Sequence, residues 1–263
     1  MFSIVTPSYN QGVFIRKCID SVAQQSSHVE LEHLIFDNES SDTTQQILLE
    51  CSADIRYSHL KISIERDRGQ THAINKGFRS AQGDILCWLN TDEFYHERSL
   101  ALVQRFFAEH PEVDVVFGDV EFVDASSATL RFKSESDYSW HMLLYYGCFI
   151  PSCSTFVRRT ALMRSGFLDE RLKVVMDFEW YLRLAQSGAK FAPLKEVLAS
   201  FTWHETNISS TFEAKRKAER LEVQLRYSRL PLPDSIRPIV FSLLKYYWMG
   251  VRSFRRWNVR RDR

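Results

Sequence analysis

The stretch "ILCWLNTDEFY", residues 85–95, decides how this chain folds. Its apolar start has the length and composition of a buried strand. It then runs without a break into Asn90, Thr91, Asp92 and Glu93. Two adjacent acids flanked by an amide and a hydroxyl make either a solvated turn or a metal or phosphate site at the mouth of a sheet. Working outward, residues 2–6, 32–37, 55–63, 84–90 and 113–119 share the β-branched and aromatic character of strands. Helical periodicity fills the gaps over residues 11–25, 42–51, 70–81 and 97–110. Strands alternating with helices predict a parallel sheet wound with right-handed crossovers.

Beyond residue 120 the alternation loosens. "EFVDASSATLRFK" reads as a hairpin, and "SWHMLLYYGCFIPSCSTFVRR" is aromatic and broken by Gly147 and Pro151. "VVMDFEWYLRLAQSG" has helical spacing, "KEVLASFTWH" is a further strand, and two basic helical stretches close the chain. The expected organisation is one α/β domain over residues 1–211 with a basic helical extension over 212–263.

Composition narrows the class. The chain has 263 residues, 44% of them hydrophobic, and a formal net charge of +1, ordinary values for a globular protein. Cys18, Cys51, Cys87, Cys148 and Cys153 form no CxxC pair, so a reduced, cytoplasmic setting fits better than a disulfide framework. No signal-peptide pattern precedes the first strand, and no apolar run reaches the roughly 18–20 residues of a membrane span. The expectation is a cytoplasmic protein, at most seated on the inner face of the membrane. No Walker or GxGxxG pattern argues for a phosphate-cradling loop.

In an open parallel sheet, ligands bind beyond the carboxyl ends of the strands. Those ends carry Thr6-Pro7-Ser8-Tyr9-Asn10, then Asp37–Asp42, then Glu65–Gln70, then Asn90–Glu93. One such end could be a helix cap, as for Asp42. Four on one rim make a site.

The chain resembles family-2 glycosyltransferases of the GT-A fold over residues 2–211. The motifs that carry the resemblance are "SIVTPSYNQGVFIRKCIDSVAQQ", "DNESSDTTQQIL", "RDRGQTHAINKGFRSAQGDILCWLNTDEFY", "FGDV", "STFVRRTALMRSGFLDERL", "MDFEWYLRLA" and "FTWHETNIS". Each is weak alone, whereas their order and spacing together are specific. The resemblance implies a mostly parallel central sheet flanked by helices. It also implies transfer of a sugar from a nucleotide-diphosphate donor to an acceptor hydroxyl with inversion, as in bacterial surface-polysaccharide synthesis. UDP is the donor nucleotide it favours, and a saccharide, free or lipid-linked, is the acceptor.

Roles follow from chemistry and resemblance together. A departing diphosphate calls for a divalent cation, Mn²⁺ or Mg²⁺, held by carboxylate oxygens. The resemblance puts the metal-binding triplet at Asn90-Thr91-Asp92, so Asp92 is the principal ligand and the first acid is replaced by an amide. His204 resembles a late histidine that reaches metal or diphosphate. An acceptor hydroxyl needs a base. The resemblance gives Asp177, preceded by Met176 where relatives often have Glu. Both Asp177 and Glu179 could also be acids favoured at a helix start. Pro7, Tyr9, Asn10 and Asp37 are assigned to the nucleoside pocket, with Asp67, Gly69 and Gln70 closing over base and ribose. Glu93, Arg158, Arg159, Glu179 and Trp180 are candidates for acceptor binding or for supporting the site. Arg68 and Lys76 could meet phosphates or be solvated surface charges.

The tail "IRPIVFSLLKYYWMGVRSFRRWNVRRDR" mixes aromatics with arginines. Such a segment suits the membrane interface, and a helix packed on the domain with a solvated basic face has the same composition. No nucleic-acid motif accompanies it. Two other functions stay open on sequence alone. Asn90 and Met176 allow a catalytically silent sugar-nucleotide binder that acts as a scaffold, and the doubly wound framework also hosts nucleotidyltransferases.

Overall fold

The computed structural model describes residues 1–204, 212–233 and 235–261, with side chains through Phe254. Strands β1 (Phe2–Ser8) and β2 (Leu31–Asp37) are buried along their whole length, as strands covered on both faces must be. With β3 (Leu60–Ile64) and β4 (Ile85–Trp88) they form a parallel quartet in the order β3-β2-β1-β4. The crossovers are α1 (Ile15–Gln25), α2 (Thr44–Ser52) and α3 (Gln70–Ser80). In α1 the buried Ile15, Cys18, Ile19 and Val22 recur at helical spacing along one face. Helix α3 lies close on the sheet because Gly77 has no side chain. A Cβ there would stand 2.3 Å from Val5 Cγ1.

The strand expected over residues 55–63 is shorter than predicted. Ile55–Tyr57 is a single 3-10 turn, held because Asp54 Oδ1 accepts from the Arg56 amide at 2.9 Å. A short polar side chain bonding the backbone two residues on competes with extension there, so the strand begins at Leu60.

The second half of the sheet is mixed. Strand β6 (Val115–Val123) pairs with β7 (Thr129–Lys133) as the expected antiparallel hairpin. Strand β8 (Thr155–Arg158) runs antiparallel between β4 and β6. Strand β9 (Phe191–Thr202) is parallel to β6 and antiparallel to the short β5 (Glu93–Tyr95). Helices α4 (Ser99–Glu109), α5 (Arg159–Ser165) and α6 (Met176–Gln186) complete the layers. One core packs Phe78, Trp88 and Trp180 together; the opposite face packs Phe2, Cys87 and Phe156.

Two helices follow: α7 (Glu213–Tyr227) and α8 (Arg237–Arg261). Both pack on a wide π-helical turn, Met142–Tyr146. The end of a helix leaves carbonyls without intrahelical partners, and side chains of α7 take them here. Gln224 Nε2 donates to the Leu144 carbonyl at 2.8 Å, and Arg220 Nη2 to those of Tyr145 at 2.8 Å and Tyr146 at 2.6 Å. Among the described residues, no helix is long and apolar enough to cross a membrane.

Candidate active site

Strand β1 lies between β2 and β4, so the chain leaves it toward both sides, and a crevice opens at its carboxyl end. A cavity of about 390 Å³ occupies that position. Pro7 is tolerated inside β1 because the ladder with β4 runs only to Val5. The missing N–H would have had no strand partner on that side. Pro7 and Tyr9 line the cavity, and the Tyr9 ring is 57% exposed.

The turn after β4 gives the two adjacent acids different roles. The Glu93 amide donates to the Asn90 carbonyl at 3.1 Å, and the Asn90 amide donates back to Glu93 Oε2 at 2.7 Å. Glu93 is therefore the residue that closes the turn. It is buried, and burial first and the Asp92 charge second push its carboxyl well above the usual range. Asn90 Oδ1 accepts from Gln70 Nε2 at 2.6 Å, which ties the turn to the start of α3. Thr91 and Asp92 line the cavity wall.

Asp92 meets a second group. Pairing of Glu93 with Phe201, and donation by the Thr202 amide to the Asp92 carbonyl at 3.0 Å, bring the end of β9 alongside the turn. His204 Nε2 consequently lies 3.1 Å from Asp92 Oδ2, with its ring stacked on Phe14 at 4.7 Å between centroids. Among the described residues, no group of three or more His, Cys, Asp or Glu side chains could hold a metal by itself. One oxygen and one nitrogen donor beside an open cavity do fit a divalent cation whose remaining positions go to water and diphosphate oxygens.

Asp177 opens α6 and lines the same cavity as Asp92. Its Oδ1 accepts from the Phe178 amide at 2.7 Å, and its Oδ2 lies 3.4 Å from the Cys148 thiol. Burial raises its pKa above that of an ordinary aspartate, and these two hydrogen bonds offset part of the rise. The chain leading into it is held from α7. Glu219 Oε2 accepts from the amides of Lys173 at 3.2 Å, Val174 at 2.9 Å and Val175 at 3.2 Å.

The nucleoside candidates divide. Asp67 and Gln70 line the cavity. Asp67 Oδ1 accepts from the Gly69 amide at 2.6 Å, and Gly69 has a φ of +116°, a conformation that suits glycine. Asp37 does not line the cavity. Its carboxylate is fully buried and accepts from Ser8 Oγ at 2.9 Å, Ser40 N at 2.9 Å and Ser40 Oγ at 2.6 Å, holding the loops after β1 and β2 together. Asn10 likewise serves the loops, its Oδ1 accepting from the Ser41 amide at 2.9 Å.

Several expected neighbours lie elsewhere. Arg158 pairs in register with Ile85, at the start of β4, so it and Arg159 sit at the end of the sheet away from the cavity. They donate to the backbone carbonyls of Val113, Phe107 and Gly83, and neither lines the cavity. Glu179 is buried on the α7 side of α6, bonded to Arg183 and to the Tyr227 hydroxyl. Trp180 is a core residue against Phe78 and Trp88 and not a pocket wall. Arg68 pairs with Glu170, and Lys76 with Glu65. Conversely, Ser152 and Lys173 line the cavity unannounced, and Asn38 lines it from the rim segment Asp37–Asp42. Of the first two, Lys173 left a signal in the sequence, as a cation four residues before Asp177.

Residues 3–168 match the profile of glycosyl transferase family 2. The chain belongs to that family. Among sequences similar to this glycosyltransferase, the amylovoran biosynthesis glycosyltransferase AmsB of Erwinia amylovora is 25% identical over 256 residues, 93% of this chain and 82% of that one. A PGL/p-HBAD biosynthesis glycosyltransferase of Mycobacterium bovis is 27% identical over 227 residues, 86% of each chain. Among solved structures, Staphylococcus aureus TarS in complex with UDP-GlcNAc matches with a TM-score of 0.69 at 17% identity, over 94% of this chain and 71% of that one. The mannosyltransferase PcManGT of Pyrobaculum calidifontis, in complex with GDP-Man and Mn²⁺, matches at 0.65 and 17%, over 93% and 69%. These likenesses bear out the GT-A fold. In this glycosyltransferase "LNTDE" forms the turn at the cavity and "MDFEW" the start of α6, while "FTWHETNIS" lies outside the described residues beyond His204.

Proposed function

We propose that the protein is an inverting glycosyltransferase that moves a sugar from a nucleoside-diphosphate donor, UDP-linked by preference, to a hydroxyl of a saccharide acceptor. Asp177 is the base. Its carboxylate takes the acceptor proton as the new bond to the anomeric carbon forms, and the bond to the diphosphate breaks on the opposite face. The observation that carries the proposal is that Asp177 and the Asp92–His204 pair share one cavity at the switch point of the sheet. Asp92 and His204 would hold Mn²⁺ or Mg²⁺, which supplies Lewis-acid stabilisation of the departing diphosphate. Tyr9 offers a stacking face for the base, and Asp67 and Gln70 bound the space beside it. Similarity to enzymes named for amylovoran and PGL/p-HBAD biosynthesis supports a cell-surface polysaccharide or glycolipid as product. The enzyme would then act at the cytoplasmic face of a membrane that presents a lipid-linked acceptor.

A thermal-shift screen of nucleoside diphosphates and their sugars, with and without Mn²⁺, tests donor and cation together. UDP should stabilise the protein, and more so with Mn²⁺. Slow release of UDP from a UDP-sugar should follow in a turnover assay. Binding without any turnover would instead identify a silent binder, and pyrophosphate release from a nucleoside triphosphate would identify a nucleotidyltransferase.

A further inference from the structure

Helix α8 is apolar on its outward face as well as on the face it packs against the domain. Ile239, Leu243, Tyr246, Tyr247 and Phe254 are 61–66% exposed. At 3.6 residues per turn these five fall within an arc of about 100°. The opposite arc faces the domain, with Phe241 buried and Leu244 and Trp248 packed against the core. Large apolar side chains gathered on one exposed face mark a docking surface rather than scattered surface residues.

Charge selects the occupant. Residues 236–263 hold eight Lys and Arg against one acid, Asp262, and seven of the eight lie outside the buried pair of Arg252 with Glu135. A second copy of the helix would bring like charge to like. An anionic lipid surface meets both properties at once, with the aromatic and aliphatic side chains entering the headgroup boundary and the cations meeting lipid phosphate. We infer that the outward face of α8 seats this protein on an anionic membrane. The inference rests on the proposed function only for what the membrane would present; the surface itself stands on α8.

The helix is also fixed to the catalytic domain. Arg252, buried, pairs with the buried Glu135 at 2.7 Å and donates to the Tyr146 hydroxyl at 3.1 Å. Lys133 completes the cluster at 2.8 Å from Glu135 and also bonds the Phe149 carbonyl. Phe149 follows Cys148, the neighbour of Asp177. Lipid binding by α8 therefore fixes the orientation of the cavity relative to the membrane instead of merely tethering it.

Flotation of the full chain with vesicles tests this without any turnover. Wild type should float with vesicles of phosphatidylglycerol and phosphatidylcholine in equal parts, stay behind with phosphatidylcholine alone, and release in high salt. Leu243→Glu with Tyr247→Glu should weaken vesicle binding by at least about tenfold while the thermal transition and UDP binding stay unchanged. No flotation of wild type with the anionic vesicles overturns the inference. So does equal flotation of the double variant, or equal binding to neutral vesicles. A wild-type dimer in solution that the double variant dissolves would also overturn it, by assigning the face to a second copy.

Discussion

Asp92 and Asp177, which line the same cavity, are held in opposite ways. Asp92 rides on a turn that closes on itself within four residues, through reciprocal bonds between Asn90 and Glu93. Asp177 is placed by groups distant in sequence. Cys148 stands beside it, and Glu219 binds three successive amides just ahead of it. The turn has its own closing hydrogen bonds, whereas the segment leading to Asp177 takes its hydrogen bonds from α7. In the proposed reading the donor side is thus centred on a local turn that Gln70 and the end of β9 complete, and the acceptor side is assembled from the second half of the chain.

If that division is real, substitutions at the two stations fail differently. The largest effect belongs to Asp177→Asn, which removes the proposed base while keeping size and the start of α6. Turnover should fall by about 10²–10⁴-fold, the usual share of a general base, with UDP affinity unchanged by calorimetry. A fall in UDP affinity of similar size would merge the two stations into one. Asp92→Ala should show the reverse emphasis. Affinity for UDP with Mn²⁺ should drop by at least the roughly 10–100-fold that losing even a supporting group costs a metal site, toward the value measured without the ion. If Mn²⁺ still strengthens UDP binding to that variant, the cation is held elsewhere.

The same division explains what could be read in advance. The strands and crossover helices of the parallel quartet show themselves by periodicity, and the Asn90–Glu93 turn by contacts a few residues apart, which a single sequence displays. Asp92 was visible because an apolar strand runs straight into two adjacent acids and the resemblance puts the metal-binding triplet there. Arg158 and Arg159 looked like site residues because they are cationic and stand in a segment that the resemblance puts beside the site. The antiparallel course of β8 carries them to the opposite end of the sheet, and strand direction is not written in local composition. Glu179 and Trp180 stand beside Asp177 in sequence, but helical rotation turns them toward α7 and the core. Glu219 gave no signal, since on a basic helix it reads as one more solvated charge.

Glu219 is the place to break the acceptor side alone. In Glu219→Gln one oxygen becomes an NH₂ group facing amide donors, so the amides of residues 173–175 lose charged acceptors. At about 1.5–3 kcal/mol for a hydrogen bond to a charged group, a net loss near 2 kcal/mol should lower Tm by about 4–8 °C. Turnover should fall severalfold as the approach to Asp177 loosens, with UDP affinity intact. A variant that loses UDP binding in the same proportion would show that α7 supports both stations equally.

The smallest effect is the most diagnostic of how Asp177 sits. Its pKa is raised in the folded protein, mainly by burial, so between the ordinary aspartate value and the raised one the folded state holds a proton that the unfolded chain has released. Stability therefore falls as pH rises through that window, and above it the protein carries the cost of an ionised, half-buried carboxylate. Asparagine carries no such cost. Asp177→Asn should melt above wild type at neutral pH, and the gap should close as pH falls below the ordinary aspartate range, where both side chains are neutral. Activity moves the other way, because the base must be ionised, so the acid limb of turnover should lie above that of an unperturbed aspartate. A wild type that outlasts the asparagine variant at neutral pH would mean that Asp177 gains more from partners in the folded protein than burial takes away.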